Sequence, residues 1–195
     1  MKHKEVADFL FEVGILAKTP RSGFHFLGSG QQSVAEHLNR LVYVGYALAM
    51  LDGTVDVAKV MKMCLFSDLS ESRISDLNYV HQKYNERLED KANKDITDPL
   101  PFGQDMHDTL EEYKIRESRE SLLAKDADNI ELVLSLKEQV DIGNKRAESW
   151  IPPSVARIKT AIGKELVQVI LDTPSDDWWY GDKQDSWWVD RDKEV

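Results

Sequence analysis

Apolar side chains in this chain recur three and four residues apart, and no segment sustains strict alternation of apolar and polar positions. Val6, Phe9, Leu10, Val13 and Leu16 fall on one side of a helix, which predicts a first amphipathic helix over residues 4–18. Thr19-Pro20-Arg21-Ser22-Gly23 breaks it, and the Gly- and Ser-rich stretch to residue 32 reads as a loop. Ser33 with Glu36 three residues later has the spacing of a capping box, so the next helix starts there. Its apolar face runs through Leu38, Leu41, Val42, Val44, Leu48 and Ala49 to Asp52-Gly53.

A third helix is predicted from Asp56 through Val60, Met63 and Leu65, then a short helix and turn over 70–80. A charged helical stretch follows over 81–91, and Pro99 and Pro101 mark 94–103 as a loop. Helices resume over 105–116 and from Ser118 or Ser121 to residue 144. The last long helix is predicted to begin at Pro152-Pro153, with Val155, Ile158, Ile162, Leu166, Val169 and Ile170 on one face. The expectation is an all-α fold.

A length of 195 residues suits one domain with one core. A net charge of −10 argues against a nucleic-acid polymer as partner, because a phosphate backbone needs clustered Lys and Arg. A small phosphorylated ligand, held by one or two local cations, is compatible with it. The single Cys64 excludes an intrachain disulfide and points to a reducing compartment. No run approaches the roughly 20 apolar residues of a membrane span, and the N-terminus lacks the pattern of a signal peptide. A cytoplasmic protein with no membrane partner is the expectation.

Three scattered segments carry candidate chemistry. Ser33-Val34-Ala35-Glu36-His37 opens one helical stretch, Phe66-Ser67-Asp68-Leu69-Ser70-Glu71 closes another with Asp76 beyond it, and Lys125-Asp126-Ala127-Asp128-Asn129 lies in a third. Taken singly, His37 reads as a hydrogen-bonded helix residue, Asp68 as a cap and Asp128 as a solvated acid. In this order and context the segments resemble the HD-domain metal-dependent phosphohydrolases, in their small 5′-deoxynucleotidase-like branch. The resemblance spans about residues 5–145.

The resemblance implies a single HD-domain helical bundle over residues 1–175. It places metal ligands on His37, Asp68 and Asp128, with Asp128 the better match than Asp126. Manganese, cobalt, zinc or magnesium suits such imidazole and carboxylate donors. Glu71 takes the place of a proton-transferring glutamate, and Asp76 that of an aspartate that positions water or the sugar-phosphate end. Arg21 matches a phosphate-holding loop arginine, with Phe24 at the aromatic position of the same loop. A homodimer is also implied. The segment 176–195 holds Trp178-Trp179 and Trp187-Trp188, and is expected to pack on the domain or at that interface.

One position departs from the family pattern. Where a second metal-binding histidine belongs, this chain has Ser67, a much weaker ligand. Either an otherwise retained site has been inactivated by one replacement, or the protein has diverged toward nucleotide binding without hydrolysis; the retained acids favour the first. The implied reaction is hydrolysis of a deoxynucleoside 5′-monophosphate, impaired here by Ser67. A triphosphohydrolase on the same fold and a catalytically silent nucleotide-binding or interaction protein are the alternatives.

Overall fold

The computed structural model describes residues 2–182 and Asp185, and among them every regular element is helical. In chain order these are α1 (Lys2–Val13), a 3-10 turn (Gly14–Ala17), α2 (Phe24–Leu27), α3 (Val34–Asp52), α4 (Val57–Phe66), α5 (Glu71–Ile74) and α6 (His81–Tyr84). They continue with α7 (Glu89–Thr97), α8 (Gly103–Ile115), α9 (Arg119–Asp141), α10 (Lys145–Val155), α11 (Ala161–Asp172) and α12 (Asp177–Tyr180). None of them is long and apolar enough to cross a membrane.

Helix starts follow the capping chemistry of the sequence. Ser33 accepts from the Glu36 amide at 3.2 Å and its own amide donates to the Glu36 carboxylate at 2.6 Å, completing the capping box of α3. Gly53 ends that helix in the left-handed conformation, at φ 69°. Asp56, Ser118, Asn144 and Thr160 cap α4, α9, α10 and α11 with their side chains.

Helix α9 is the axis of the bundle, with α3, α4, α8, α10 and α11 packed around it. Leu123, Ala124, Ala127, Ile130 and Val133 are completely buried along it. From the other helices Leu41, Leu48, Val60 and Met63 are equally buried, each contributing about 1.5–3 kcal/mol of hydrophobic stabilisation. Helices α3 and α4 meet at Gly45, where a Cβ would sit 2.5 Å from the Cys64 sulfur, so only glycine permits that separation.

Several boundaries differ from the sequence expectation. The first helix tightens into the 3-10 turn at Gly14. The stretch 81–91 is not one helix: Asn85 is extended (φ −126°, ψ 141°), and the chain becomes helical again only at Glu89, running on to Thr97 into the start of the expected loop. Pro152 and Pro153 do not begin the last helix but lie inside α10. Their missing amides leave the Glu148 and Ser149 carbonyls without helical donors, at residues exposed to water. The expected continuous face over 155–170 is interrupted between Val155 and Ala161, where the Asp126 carboxylate takes up the Lys159 amide (2.8 Å), the Thr160 amide (2.7 Å) and the Thr160 hydroxyl (2.6 Å).

Trp178 is 86 % exposed, and Trp179 stacks on Tyr180 at 5.2 Å. Trp187 and Trp188 lie outside the described residues.

Because Asp126 is buried and holds three donors that nothing else satisfies, Asp126→Ala should destabilise the fold by about 3 kcal/mol. Urea unfolding followed by circular dichroism measures this; a change of less than about 0.5 kcal/mol would contradict the staple.

Candidate functional site

The segment ahead of α3 is tied back to the start of that helix. The Arg21 amide donates to the Gln32 carbonyl at 2.8 Å and the Val34 amide to the Thr19 carbonyl at 2.9 Å, around a bridge between Pro20 and Ser33. This brings the Arg21 side chain, from a loop, to the same place as His37, one turn into α3. Asp68 arrives just past the end of α4, and Asp128 from the third turn of α9.

The three expected ligands converge. His37 Nε2 lies 3.3 Å from Asp68 Oδ2 and 3.4 Å from Asp128 Oδ1. Neither contact has hydrogen-bond geometry, so this buried nitrogen is without a protein hydrogen-bond partner. Donor atoms that each lie about 2.1 Å from one ion stand roughly 3.0–3.4 Å from one another, so both separations suit a shared cation. Among the described residues no three His, Cys, Asp or Glu side chains are gathered closely enough to hold a metal ion as they stand. The set is two pairs with His37 common to both. Asp126, by contrast, is engaged with Lys159 and Thr160.

Ser67 borders the same cavity, but its hydroxyl donates to the Cys64 carbonyl at 3.1 Å, a helical back-bond that turns it away from ligation.

The other expected residues also gather here. Arg21 lies 3.5 Å from Asp68 and 3.8 Å from Asp76; burial opposes its charge, but the Asp68 and Asp76 carboxylates outweigh that and raise its pKa. Asp76 accepts from the Ser22 amide at 2.9 Å. Glu71 is buried, with one oxygen 3.3 Å from Arg87 and the other unpartnered. Burial, then the negative charges of Asp68 and Asp76, push its pKa up to about 9. Burial opposes ionisation of Asp128 too, yet Lys125, at 2.5 Å, and His37 hold its pKa well below the ordinary value.

Glu131 is the residue that sequence reasoning missed. Its fully buried carboxylate contacts His37 Nδ1 and takes donors from Gln32 (2.7 Å), Arg40 (3.0 Å) and Ser135 (3.3 Å). An anion on Nδ1 holds the proton on that nitrogen, so Nε2 is the atom that would face an ion. Burial and Arg21 oppose a charge on the ring, but Asp128, Asp68 and Glu131 outweigh them and raise its pKa. The available signal was an acid among Ile130, Leu132 and Val133, three residues after Asp128 and so on its side of the helix. Burial raises the Glu131 pKa, but His37 and Arg40 overcome it and hold it at about 2.

Of these groups Arg21, Asp68, Glu71, Asp76, Lys125 and Asp128 line a cavity of about 800 Å³. Phe24, Leu132 and Trp150 supply an apolar wall, and Arg116 and Arg157 further cations. The volume is that of a small-molecule site, and apolar walls with a few convergent polar groups are the usual composition of one.

The sequence profile of the HD domain matches residues 13–170. The 5′-deoxynucleotidase HDDC2 of Danio rerio is 30 % identical over 143 residues, covering 70 % of this chain and 70 % of that protein. A conserved hypothetical protein from Pyrococcus furiosus superimposes with a TM-score of 0.71 at 27 % identity, over 86 % of this chain and 99 % of its own. A predicted metal-dependent phosphohydrolase from Magnetospirillum magnetotacticum shares the fold, with a TM-score of 0.69 at 20 % identity over 88 % of this chain and 91 % of its own.

The depressed Glu131 pKa fixes a pH dependence. A carboxylate at about 2 in the fold and near 4.5 when unfolded contributes stability that is complete above pH 4.5 and is lost as pH falls toward 2. Glu131→Gln should therefore lower stability at pH 6 by about 3 kcal/mol and flatten the decline between pH 4.5 and 2, measured by urea unfolding at a series of pH values. A variant that keeps the wild-type slope would show that Glu131 does not set it.

Proposed function

The chain belongs to the HD domain family, and we propose that it is a metal-dependent phosphohydrolase whose cavity takes a deoxynucleoside 5′-monophosphate for release of phosphate, with turnover impaired by Ser67. The observation that carries this reading is the meeting of His37 with Asp68 and Asp128, two carboxylates that line a cavity also lined by Phe24, Leu132 and Trp150. Phosphate belongs beside Asp68, Asp128 and Arg21, and the base and sugar against Phe24, Leu132 and Trp150.

His37, Asp68 and Asp128 are the residues to hold the divalent ion, and the buried Nε2 without a partner fits that role. When bound, the ion supplies Lewis acidity at a phosphoryl oxygen and brings water toward ionisation near neutral pH. Arg21 and Lys125 place positive charge beside the carboxylates, where the phosphate adds negative charge. Glu71 holds a proton at neutral pH because of its raised pKa, and delivers it to the departing sugar oxygen. Asp76, fixed by the Ser22 amide, orients the water.

Ser67 stands where a fourth ligand would help to hold the ion and would fix the direction of its open water position. Ser67→His should raise manganese or cobalt content toward one ion per chain and raise phosphate release from deoxynucleoside monophosphates by at least about 100-fold. Glu71→Gln added to that variant should keep the metal and lose about 10²–10⁴-fold in kcat. Metal analysis and phosphate release over mono-, di- and triphosphates check both. Activity on triphosphates alone would replace the monophosphate reading, and nucleotide binding with no turnover by the Ser67→His variant would favour a silent binding protein.

A further inference from the structure

The chain between Asp76 and α7 forms an outer wall of the cavity, and it is held unlike the rest of the fold. Ser75 starts it at φ 64° and ψ 163°, a region that residues other than glycine rarely occupy, with its amide donating to the Glu71 carbonyl at 3.1 Å. Leu77, Asn78, Tyr79 and Gln82 then line the cavity, while α6 buries none of its residues and Tyr84 is 82 % exposed. Residues 77–88 thus form a strap with little apolar burial of its own.

Two side-chain contacts tie this strap to the bundle. Arg157, after α10, donates to the Tyr79 hydroxyl at 2.9 Å and also to Ser154 at 3.2 Å. At the other end Arg87 donates to Glu71 Oε1 at 3.3 Å, with its Nε 3.4 Å from Glu89. The second contact reaches into the chemistry. Glu71 is only 3 % exposed, and its Oε2 is buried without a partner. A carboxyl held through one oxygen has the other directed, and Glu71 itself lines the cavity.

We propose that Arg87 is a positioning residue: carried on the strap, it fixes the Glu71 carboxyl through Oε1 so that Oε2 meets the substrate, and the Tyr79–Arg157 contact seats the strap that delivers it. The role rests on the phosphohydrolase reading of Glu71. It makes part of the proton-transfer geometry depend on a segment outside the packed helices. An acid on a short helix can turn about its side-chain bonds, and an added guanidinium removes that freedom before substrate arrives.

The test is made in two settings. In the Ser67→His protein with manganese, Arg87→Ala should lower kcat about 10–100-fold with KM changed by less than about threefold, and Arg87→Lys should recover part of the loss. Metal content should stay at the parent level. Tyr79→Phe should lower kcat by a smaller factor, and should have almost no effect once Arg87 is already alanine, because both act through one placement. Loss of metal with Arg87→Ala, a change confined to KM, or effects of the two substitutions that multiply independently would each overturn the proposal.

In the chain as it exists, hydrogen exchange of the amides of 77–88 should speed up by about tenfold in both Tyr79→Phe and Arg87→Ala. If the Ser67→His parent hydrolyses nothing, the hydrolase reading falls on its own account. Exchange then decides the strap alone: faster exchange upholds its two ties, and unchanged exchange overturns them.

Discussion

The contact between His37 and Glu131 is the constraint from which the site is built. Both side chains are buried completely, on the two helices that cross at the centre of the bundle. An acid in that position is tolerable only because Arg40, Gln32 and Ser135 supply donors to it from α3, the preceding loop and α9 itself. The same arrangement fixes the imidazole in orientation and tautomer. Packing of α3 on α9 and presentation of Nε2 are therefore one structural event, and a shift of either helix would be felt first at the ring.

Around that ring the fold solves a problem of crowded negative charge. Asp68, Glu71, Asp76 and Asp128 share one cavity, and each is matched separately: Asp68 by Arg21, Glu71 by Arg87, Asp76 by the Ser22 amide, Asp128 by Lys125. The partners come from a loop, a strap and a helix that the sequence holds far apart. Glu71 has the weakest compensation for its burial, which is why its proton affinity rises while those of Asp68 and Asp128 fall. One set of like groups is divided into two chemical states by its neighbours alone.

Much of this was legible in the chain. The capping box at Ser33, the glycine stop at Gly53 and the 3.6-residue period of α3 and α4 are local signals, and the structure follows them. The meeting of His37, Asp68 and Asp128 was legible only through family resemblance, since no periodicity relates residues on three helices. What stayed hidden depends on long-range partners. Beyond the capping residue Thr160, nothing near Val155 announces a turn, because the group that holds it is Asp126, some thirty residues earlier. Proline at 152 and 153 points to a helix start by local rules, yet capping by Asn144 and solvent-facing carbonyls let α10 run through both. Glu131 looked like one more acid because its burial comes from helices it meets only after folding.

Asp126 and Asp128 stand two positions apart on α9, about 200° around the helix, and do opposite work. One faces the turn before α11 and closes it; the other faces the His37 ring, with Glu131 a turn further along the same side. This stretch behaves as a ruler whose graduations are read from both sides. Adding or deleting a single residue within it would rotate everything beyond by about 100°, separating Glu131 from Asp128 or Asp126 from both. In this segment length itself is under constraint.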